Sequence, residues 1–508
     1  MKKPTYRTII LTLVLCLVMM APALAEGFTP GTYEATVDSV GGPLTVAVTV
    51  SEDRIEDVAI VENHDTDGVC DVPVARIPQE IIENQSINVD SVSGATLTSI
   101  FLKNAVKDAL AQATDDLAPY QEKVAWVAPA QSDMDVDVVV VGGGISGMAT
   151  AVNAAANGKK VVVLEKLAII GGDALISNGW IGLIDDPASI DALAAAGVNI
   201  QNIDGQMASL TIDIGEKSVI HELMDEFRAI IEDKGGLVLT DTPAISLVND
   251  GKAVSGVIAQ PKGQDSFRID ALSVVLASGG FACNPELVEK HLPYAAGARS
   301  TGLPGKTGDA LAWIEEVDGQ TRELDNPVSS FYAVSPTTGY MSEFSFVPAN
   351  FIDANGDLIT ELKDYNKGAM ACYEAVGRDT FYTVVTQAEV EAGYSQAIFD
   401  HMEQAKSVFK YEGMDAVMEA YGMPNLKQTL TGLGYGEDEV FYVGPSTAAI
   451  YGTWGGIQVD DGYRVLNSSN EAVPGLYAIG NAIGGAGNGA GMNVAYCVVN
   501  SIMADGQN

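Results

Sequence analysis

Three glycines and one glutamate near the middle of this 508-residue chain have the spacing of a dinucleotide-binding turn. Gly142, Gly144 and Gly147 follow an apolar run, and Glu165 ends the next apolar run. In such a turn the first glycine permits a tight reversal, the second lets the backbone approach a pyrophosphate, and the third lets helix and strand pack closely. The phosphates bind free N–H groups at the helix N-terminus, and the acid accepts hydrogen bonds from a ribose. The motif by itself does not distinguish NAD from FAD.

Three elements must hold these residues in place. Residues 138–141 form an apolar, β-branched run that predicts a buried parallel strand, and residues 148–156 are rich in alanine and suit a helix. Residues 160–164 predict a second strand. The complete order of strand, glycines, helix, strand and terminal acid is much more specific than the glycine spacing alone. We therefore predict a dinucleotide bound at the end of a parallel sheet.

The chain after Glu165 resembles the fumarate reductase/succinate dehydrogenase flavoprotein family in the order of its motifs. The segments VVLASGGF (274–281), GKTGDA (305–310) and GLYAIGN (475–481) are similar to the family's returning strand, its GxTGDG turn and its GLYAAGE segment. The resemblance implies non-covalent FAD in a Rossmann-like α/β domain, with an inserted α+β capping domain that closes over the substrate. The residues that it assigns to FAD are Gly142, Gly144, Ile145, Ser146, Gly147, Glu165, Lys166, Gly171, Gly172, Asp173, Ser177, Asn178, Gly179, Gly279, Gly280, Asp309, Asn481, Met492, Asn493 and Val494.

Residues 90–99, DSVSGATLTS, resemble the attachment motif of the FMN-binding domain in the C subunit of the Na⁺-pumping quinone reductase and in many secreted flavoproteins. The alternating segment that precedes them predicts a small antiparallel sheet. In that family a flavin transferase attaches FMN outside the cytoplasm as a phosphoester on a threonine, which corresponds to Thr96. The hydroxyl needs an exposed turn, where Gly94 and Ala95 leave room and Asp90 can order the loop. The resemblance implies covalent FMN at Thr96, beside Ser93, Gly94 and Ala95.

The residues that carry fumarate reduction in the first family are replaced here. Those enzymes pass a hydride from flavin N5 to one carbon of a C=C bond, while an arginine protonates the other carbon. Our alignment puts Tyr365 at the arginine position, and residues 451–456 and 487–495 lack the family's carboxylate-binding histidines and terminal arginine. Because a buried dianion without cationic partners is costly, fumarate is not the expected substrate.

Phenols and apolar groups occupy the substituted positions. A tyrosine can polarise a carbonyl by hydrogen bonding or donate a proton to the α carbon, although packing is the alternative role for any one of them. The predicted catalytic residues are Tyr365, Tyr442 and Tyr496. Further candidates are Tyr332, Tyr451, Trp454 and, as proton donors or as solvated charges, Lys363 and Arg378. The expected substrate is a planar α,β-unsaturated acid or enone with at most one carboxylate.

Two other functions remain open. Asn481 and the glycine-rich residues 489–491 resemble the 3-ketosteroid dehydrogenases, which bind a carbonyl with tyrosines and a backbone glycine N–H. The lost arginine and histidines also suit a flavin electron-carrier module of the cell envelope that performs no chemistry of its own. In the favoured interpretation, electrons pass from an envelope donor to FMN, then to FAD, and then to a small-molecule substrate.

Composition excludes nucleic acid as a partner, because the chain has 28 Lys and Arg against 67 Asp and Glu and a net charge of −39. Residues 1–25 combine a basic start, an apolar core and an Ala-Leu-Ala ending. This pattern predicts a secretory signal cleaved near Ala25, with an uncleaved membrane anchor as the alternative. No later stretch reaches spanning length, so we expect a secreted or cell-envelope protein without a transmembrane span. The remaining cysteines lie far apart without a CxxC motif, which favours free thiols and no metal site.

These features predict an α/β protein in six segments. A signal peptide (1–25) precedes a small α+β FMN-binding domain (26–118) and a linker (119–134). The FAD-binding domain follows in two parts (135–318 and 441–508), which are separated by the capping domain (319–440).

Overall fold

The computed structural model describes residues 27–176, 187–199, 219–326, 330–336, 349–361, 368–393, 402–403, 406–483 and 490–506. In chain order its strands are β1 (Gly31–Asp38), β2 (Pro43–Val50), β3 (Ile55–Glu62), β4 (Met134–Val141), β5 (Val161–Leu164), β6 (Leu237–Leu239), β7 (Ala244–Asn249), β8 (Val254–Ala259), β9 (Phe267–Leu276), β10 (Arg299–Ser300), β11 (Thr321–Arg322), β12 (Ser330–Val334), β13 (Asn350–Ile352), β14 (Leu358–Glu361), β15 (Phe381–Thr386), β16 (Phe409–Glu412), β17 (Val440–Gly452), β18 (Gly456–Ile457), β19 (Arg464–Leu466) and β20 (Ala472–Ala478). The α-helices are α1 (Asp71–Asn84), α2 (Thr96–Leu110), α3 (Ile145–Ala156), α4 (Pro187–Ala196), α5 (Val219–Asp233), α6 (Pro285–His291), α7 (Asp309–Glu315), α8 (Gly368–Val376), α9 (Gln387–Gly393), α10 (Met414–Tyr421), α11 (Leu426–Gly432) and α12 (Ala490–Asp505).

The first domain is an antiparallel three-stranded sheet in the order β1-β2-β3, which α1 and α2 cover. Alternate residues of the central strand β2 point into one core, where Val46 and Val48 meet Leu102 and Val106 of α2. The period-2 apolar pattern of β2 therefore buries one face of the sheet, and the predicted antiparallel sheet is confirmed.

The central domain is built on an eight-stranded sheet in the order β19-β20-β9-β4-β5-β6, with β8 beside β9 and β7 beside β8. β4 pairs in parallel with both β5 and β9, so it lies in the middle of the sheet. Val138 and Val140 enter the core on one face of this sheet, while Val139 and Val141 enter the core on the other. A strand covered on both faces needs consecutive apolar residues, which is the pattern that predicted it.

A second sheet is organised around the long strand β17. This strand pairs with β10, β12, β15 and β16, and β15 continues through β13 to β14. Phe351 and Phe381 pack edge to face in its core, with ring centroids 5.6 Å apart. We predicted that the capping domain ends at residue 440. The strand β17 begins at Val440 and runs to Gly452, so the second sheet extends past that predicted boundary.

Within the residues that the structure describes, no helix is both long and apolar enough to cross a bilayer.

Candidate flavin sites and substrate crevice

The glycine turn joins β4 to α3 as the spacing predicted. A Cβ added to Gly142 would lie 2.3 Å from the carbonyl oxygen of Ala277, and one added to Gly147 would lie 2.0 Å from the carbonyl oxygen of Gly142. Both positions therefore require glycine for close packing. Gly144 is the N-cap of α3 and, as a glycine, has no side chain that could cap the helix. An added Cβ there would meet only the Cα of Gly172, at 4.0 Å, so this helix N-terminus can admit an anionic group.

Glu165 ends β5 beside this turn and is only 8% exposed. Its Oε2 accepts the N–H of Gly143 at 2.7 Å, and its Oε1 accepts the N–H of Leu167 at 2.8 Å. Burial raises the pKa of this carboxyl, while the hydrogen bonds from Leu167 and Gly143 oppose the shift. Each oxygen keeps a second lone pair, so the carboxylate can still accept hydrogen bonds from ribose hydroxyls. The residues present thus fit the predicted dinucleotide.

The loops around the turn converge through polar contacts. The Gly171 N–H donates to the carbonyl of Gly143 at 2.7 Å, and Lys166 pairs with Asp309 at 2.7 Å. Next to Gly279, the buried Ser278 Oγ has no hydrogen-bond partner in the described part of the chain. A buried polar atom normally has a partner, so this hydroxyl also suits a bound ligand. Gly279, Gly280 and Asn481 line one small cleft at this place.

Some predicted flavin contacts fall outside what the structure describes. Ser177, Asn178 and Gly179 lie outside the described residues. Met492, Asn493 and Val494 belong to the first turns of α12, and their side chains lie outside the described set. Their assignment to FAD remains a prediction.

Lys306 is a functional candidate that the sequence comparison passed over. The residue is 7% exposed, and its Nζ lies 2.6 Å from Oδ2 of Asp173. The same ammonium donates to the carbonyl oxygen of Tyr451 and lies 4.8 Å from the centre of the Tyr451 ring. We call the contact group formed by Asp173, Lys306 and Tyr451 the crevice. The signal was present in the sequence, because a lysine occupies the variable position of the GxTGDG-like turn.

The crevice joins the flavin loops to the turn that replaces the family's carboxylate-binding motif. Thr453 of that turn accepts a hydrogen bond from the N–H of Phe281 at 3.2 Å, directly after Gly279 and Gly280. Asp173 also accepts the N–H of Leu303 at 2.9 Å and so fixes the start of the 305–310 turn. A buried cation is therefore held between the predicted FAD loops and the predicted substrate turn.

Of the three predicted catalytic tyrosines, the structure describes Tyr442 and Tyr496. Tyr442 is 2% exposed in the core of the second sheet, and its hydroxyl donates to Gln387 at 2.8 Å, which favours a packing role over the catalytic role that we predicted. Tyr442 lies on an inward-facing position of β17, and its ring is therefore buried. Tyr496 is half-buried on α12, and Arg378 is exposed. Tyr365 and Lys363 lie outside the described residues, as does the side chain of Tyr332.

Thr96 is the exposed first residue of α2. The turn before it is held by Ser99, whose Oγ donates to the Ala95 carbonyl at 2.8 Å and accepts the Val92 N–H at 3.0 Å. Leu97 and Ile100, each 41% exposed, give an apolar surface beside the Thr96 hydroxyl. A flat ring system esterified at Thr96 could cover this surface, so the residues fit an attached flavin.

Two details of this turn differ from expectation. Gly94 has a φ of +93°, and a Cβ there would lie 2.9 Å from the side chain of Ile169. The room that we expected beside Gly94 is thus filled by the side chain of Ile169 from the central domain. Asp90 accepts the Trp126 N–H at 3.1 Å and pairs with Lys262 at 3.1 Å, so it ties the linker rather than ordering the attachment turn. Hydrogen bonds from Lys262 and Trp126 outweigh burial and lower the pKa of this carboxyl.

A helix N-terminus beside a buried acid, together with a threonine turn on a separate small domain, is the arrangement expected of a flavoprotein with two sites. The chain belongs to the FAD binding domain family, which matches residues 137–229 and 214–494. Residues 40–111 match the FMN-binding domain family. The two predicted cofactors, FAD and FMN, are thereby confirmed.

Two curated relatives match over most of this chain. NADH:acrylate oxidoreductase of Vibrio harveyi is 26% identical over 92% of this chain and 60% of its own length. Urocanate reductase of Eggerthella lenta is 26% identical over 92% of this chain and 89% of its own length. The chain thus spans less than two thirds of the first relative.

Among solved structures, the open conformation of a flavocytochrome c3 fumarate reductase superposes with a TM-score of 0.59. It is 19% identical and covers 76% of this chain and 82% of its own. This likeness confirms the predicted fold class.

Proposed function

We propose that this protein is a flavin-dependent reductase of the C=C bond in an α,β-unsaturated acid or enone. The observation that carries the proposal is the crevice, where a buried lysine faces the turn that replaces the family's carboxylate-binding motif. The relatives named for acrylate and urocanate support the same reaction class. When bound, FAD supplies hydride transfer.

Lys306 supports a substrate with a single carboxylate. The residue is 7% exposed, and within the described part of the chain one acidic partner and one carbonyl satisfy two of the three N–H donors of its ammonium. The third donor can bind one carboxylate or one carbonyl oxygen. A second carboxylate would need a second cation, and the sequence lacks the histidines and the arginine that the resembling family uses.

Tyr365 is the proposed proton donor. It stands at the position of the family's proton-donating arginine in our alignment. A phenol with an ordinary pKa of about 10 is a usable acid toward a developing enolate. Tyr496 remains a second candidate for orienting the carbonyl.

The two flavins are proposed to form a relay, with FMN esterified to Thr96. One side chain lies beside both sites: a Cβ added to Gly94 or to Gly305 would lie 3.4 Å from Leu167 Cδ1. Gly94 belongs to the FMN attachment turn, and Gly305 begins the turn that carries Lys306. This proximity supports electron transfer from FMN to FAD within one chain.

Maturation and location follow from the same proposal. The signal-like residues 1–25 and the need for a flavin transferase support an extracytoplasmic protein with an envelope electron donor.

The test is a substrate screen with reduced viologen as the electron source, using protein that carries both flavins. We expect oxidation with acrylate, aryl acrylates, urocanate or cyclic enones, and little with fumarate. Efficient fumarate reduction would overturn the assignment of a single carboxylate. If no unsaturated acid, enone or steroid reacts while the flavins still exchange electrons with a redox partner, the protein is an electron carrier and the reductase proposal fails.

A further inference from the structure

Asp241 occupies an unusual backbone position between β6 and β7. Its φ is +49°, a region that non-glycine residues seldom adopt, and it is 5% exposed. Its N–H donates to the Leu167 carbonyl at 2.9 Å, and its carbonyl accepts the Lys262 N–H at 2.8 Å. These bonds hold the residue in place in the central domain, so its carboxylate points in a fixed direction.

The Asp241 carboxylate accepts hydrogen bonds from three separate segments. Oδ1 accepts Ser93 Oγ at 2.7 Å, and Oδ2 accepts Trp126 Nε1 at 3.1 Å. Arg76 of α1 donates to Oδ2 at 3.3 Å, and its guanidinium lies 4.4 Å from the centre of the Trp126 ring. The attachment turn, the linker and α1 thus meet at one acidic side chain. An amide has only one acceptor oxygen and could not receive all three donors.

The same attachment turn makes a second contact with the central domain. The Ala168 N–H donates to both the carbonyl (3.1 Å) and Oγ (2.9 Å) of Ser93. Ala168 is three residues beyond Glu165, the predicted ribose-binding acid. The residue after Asp241, Thr242, donates its N–H to the Glu165 carbonyl at 2.9 Å. Asp241 therefore connects the turn that carries Thr96 with the strand end that holds Glu165.

We propose that Asp241 is a positioning residue that fixes the FMN attachment turn against the FAD-binding loop and thereby sets the rate of FMN-to-FAD electron transfer. The proposal rests on the relay described under the proposed function. Electron-transfer rates fall steeply as the distance between redox centres grows. An attachment turn released from Asp241 would sample longer separations, whereas the FAD site itself keeps its own bonds.

The experiment uses the full chain carrying both flavins and compares Asp241→Asn with wild type. Fully reduced protein is mixed with a substrate from the viologen screen, and flavin absorbance is followed by stopped flow. We expect the slower phase, in which FMN is reoxidised through FAD, to slow by at least about tenfold, because transfer depends on exact placement. The fast FAD phase should be unchanged.

Asp71→Asn is the matched control. It removes the negative charge from the 2.7 Å contact between Asp71 of α1 and His221 at the same domain interface without touching the attachment turn. Hydrogen exchange over residues 91–99 gives a readout independent of activity, and it should rise in Asp241→Asn but not in Asp71→Asn. Equal FMN phases and equal exchange in the two variants would overturn the proposal.

Two further outcomes keep the proposals separate. If wild-type protein shows the FAD phase but no FMN phase, the relay fails, and with it the electron-transfer role of Asp241, whereas the proposed reductase function stands. If Asp241→Asn does not fold, Ser93→Ala and Trp126→Phe each remove one donor and should each slow the FMN phase by a smaller factor. No slowing in either variant would overturn the positioning role.

Discussion

At the residue scale, the charge of Lys306 is the feature that most restricts the substrate. A lysine this buried is stable as an ammonium only with partners, and Asp173 and the Tyr451 carbonyl supply them. Asp173 also accepts a hydrogen bond from the Leu303 N–H, and this bond holds the carboxylate of the Lys306–Asp173 pair in place.

We predict that Lys306→Met raises KM for unsaturated carboxylates by roughly 10- to 100-fold, the range for loss of a hydrogen bond to a charged group. An uncharged enone should be much less affected, which provides a control within the same variant. KM is compared by viologen oxidation, with FAD content measured by absorbance. Equal losses for both substrate types would show that Lys306 serves only the fold of the crevice.

We predict that Tyr365→Phe lowers kcat by about 100-fold or more, the usual contribution of a general acid. The matched control is Tyr442→Phe, which removes the bond to Gln387 in the core of the second sheet. It should leave kcat unchanged and cost about 1 kcal/mol of stability, measured by denaturant unfolding. A loss of only a few-fold in Tyr365→Phe would remove this phenol from the chemistry.

Cys70 is a buried thiol beside the domain interface, and burial controls its pKa. Burial raises the pKa of its thiol to about 12, aided by the charges of Asp71, Asp65 and Asp67, although a bond from Asn63 opposes the shift. A raised thiol pKa lowers the thiolate fraction at every lower pH. We expect alkylation of Cys70 at pH 8 to be at least about a thousand-fold slower than that of an ordinary thiol with a pKa near 8.5. Mass mapping after iodoacetamide treatment measures it, and labelling at the ordinary rate would contradict the prediction.

At the element scale, the start of α2 separates two neighbouring threonines by exposure. Thr96 is exposed, whereas Thr98 is 3% exposed and donates to Asp65 at 2.6 Å. Asp65 also accepts Ser39 Oγ and the Gly41 N–H, so Thr98 belongs to a buried network of the first domain. The two threonines of the attachment motif therefore have different roles, one available for modification and one structural.

We predict that intact mass of protein co-expressed with its flavin transferase shows one FMN phosphoryl adduct. Thr96→Ala should abolish the adduct, while Thr98→Val should keep it, because Thr98 is buried. An unmodified wild-type mass under these conditions would contradict covalent FMN, and an adduct that survives in Thr96→Ala would place it on another hydroxyl.

At the scale of the whole molecule, cations are scarce and two of them are withdrawn from solvent. The chain has 28 Lys and Arg against 67 acids, yet Arg76 lies at the domain interface and Lys306 lies in the crevice. Burying a cation is unfavourable unless acids pair with it, and Asp241 and Asp173 do so. The interface between the flavin domains and the proposed substrate site both depend on such pairs.

We predict that the protein exported from its native host begins near Glu26 and is found outside the cytoplasm. N-terminal sequencing of fractionated cells measures this, and the expectation follows from the basic start, apolar core and small-residue ending of residues 1–25. Retention of residues 1–25 in the membrane fraction would support the anchor alternative.

The sequence by itself determined the local turns to which the two flavins are assigned. The glycine turn, Glu165 and the Thr96 turn are each formed by contiguous residues, because a phosphate or an ester is bound by one local backbone conformation. The four consecutive valines of β4 likewise indicated a strand covered on both faces. Such features require only neighbours in the chain, so their spacing was sufficient to predict them.

Only the tertiary structure decided which side chains meet across the domains. Lys306 bonds the Tyr451 carbonyl across 145 residues, and Asp241 bonds Ser93 and Trp126 across 148 and 115 residues. The tertiary structure also places Tyr442, one of the predicted catalytic residues, in the core of the second sheet. The periodicity of a sequence predicts which side of an element is apolar, but not which other element covers that side. A buried charge is paired only after the sheets and loops have packed together, so its partner cannot be predicted from local sequence.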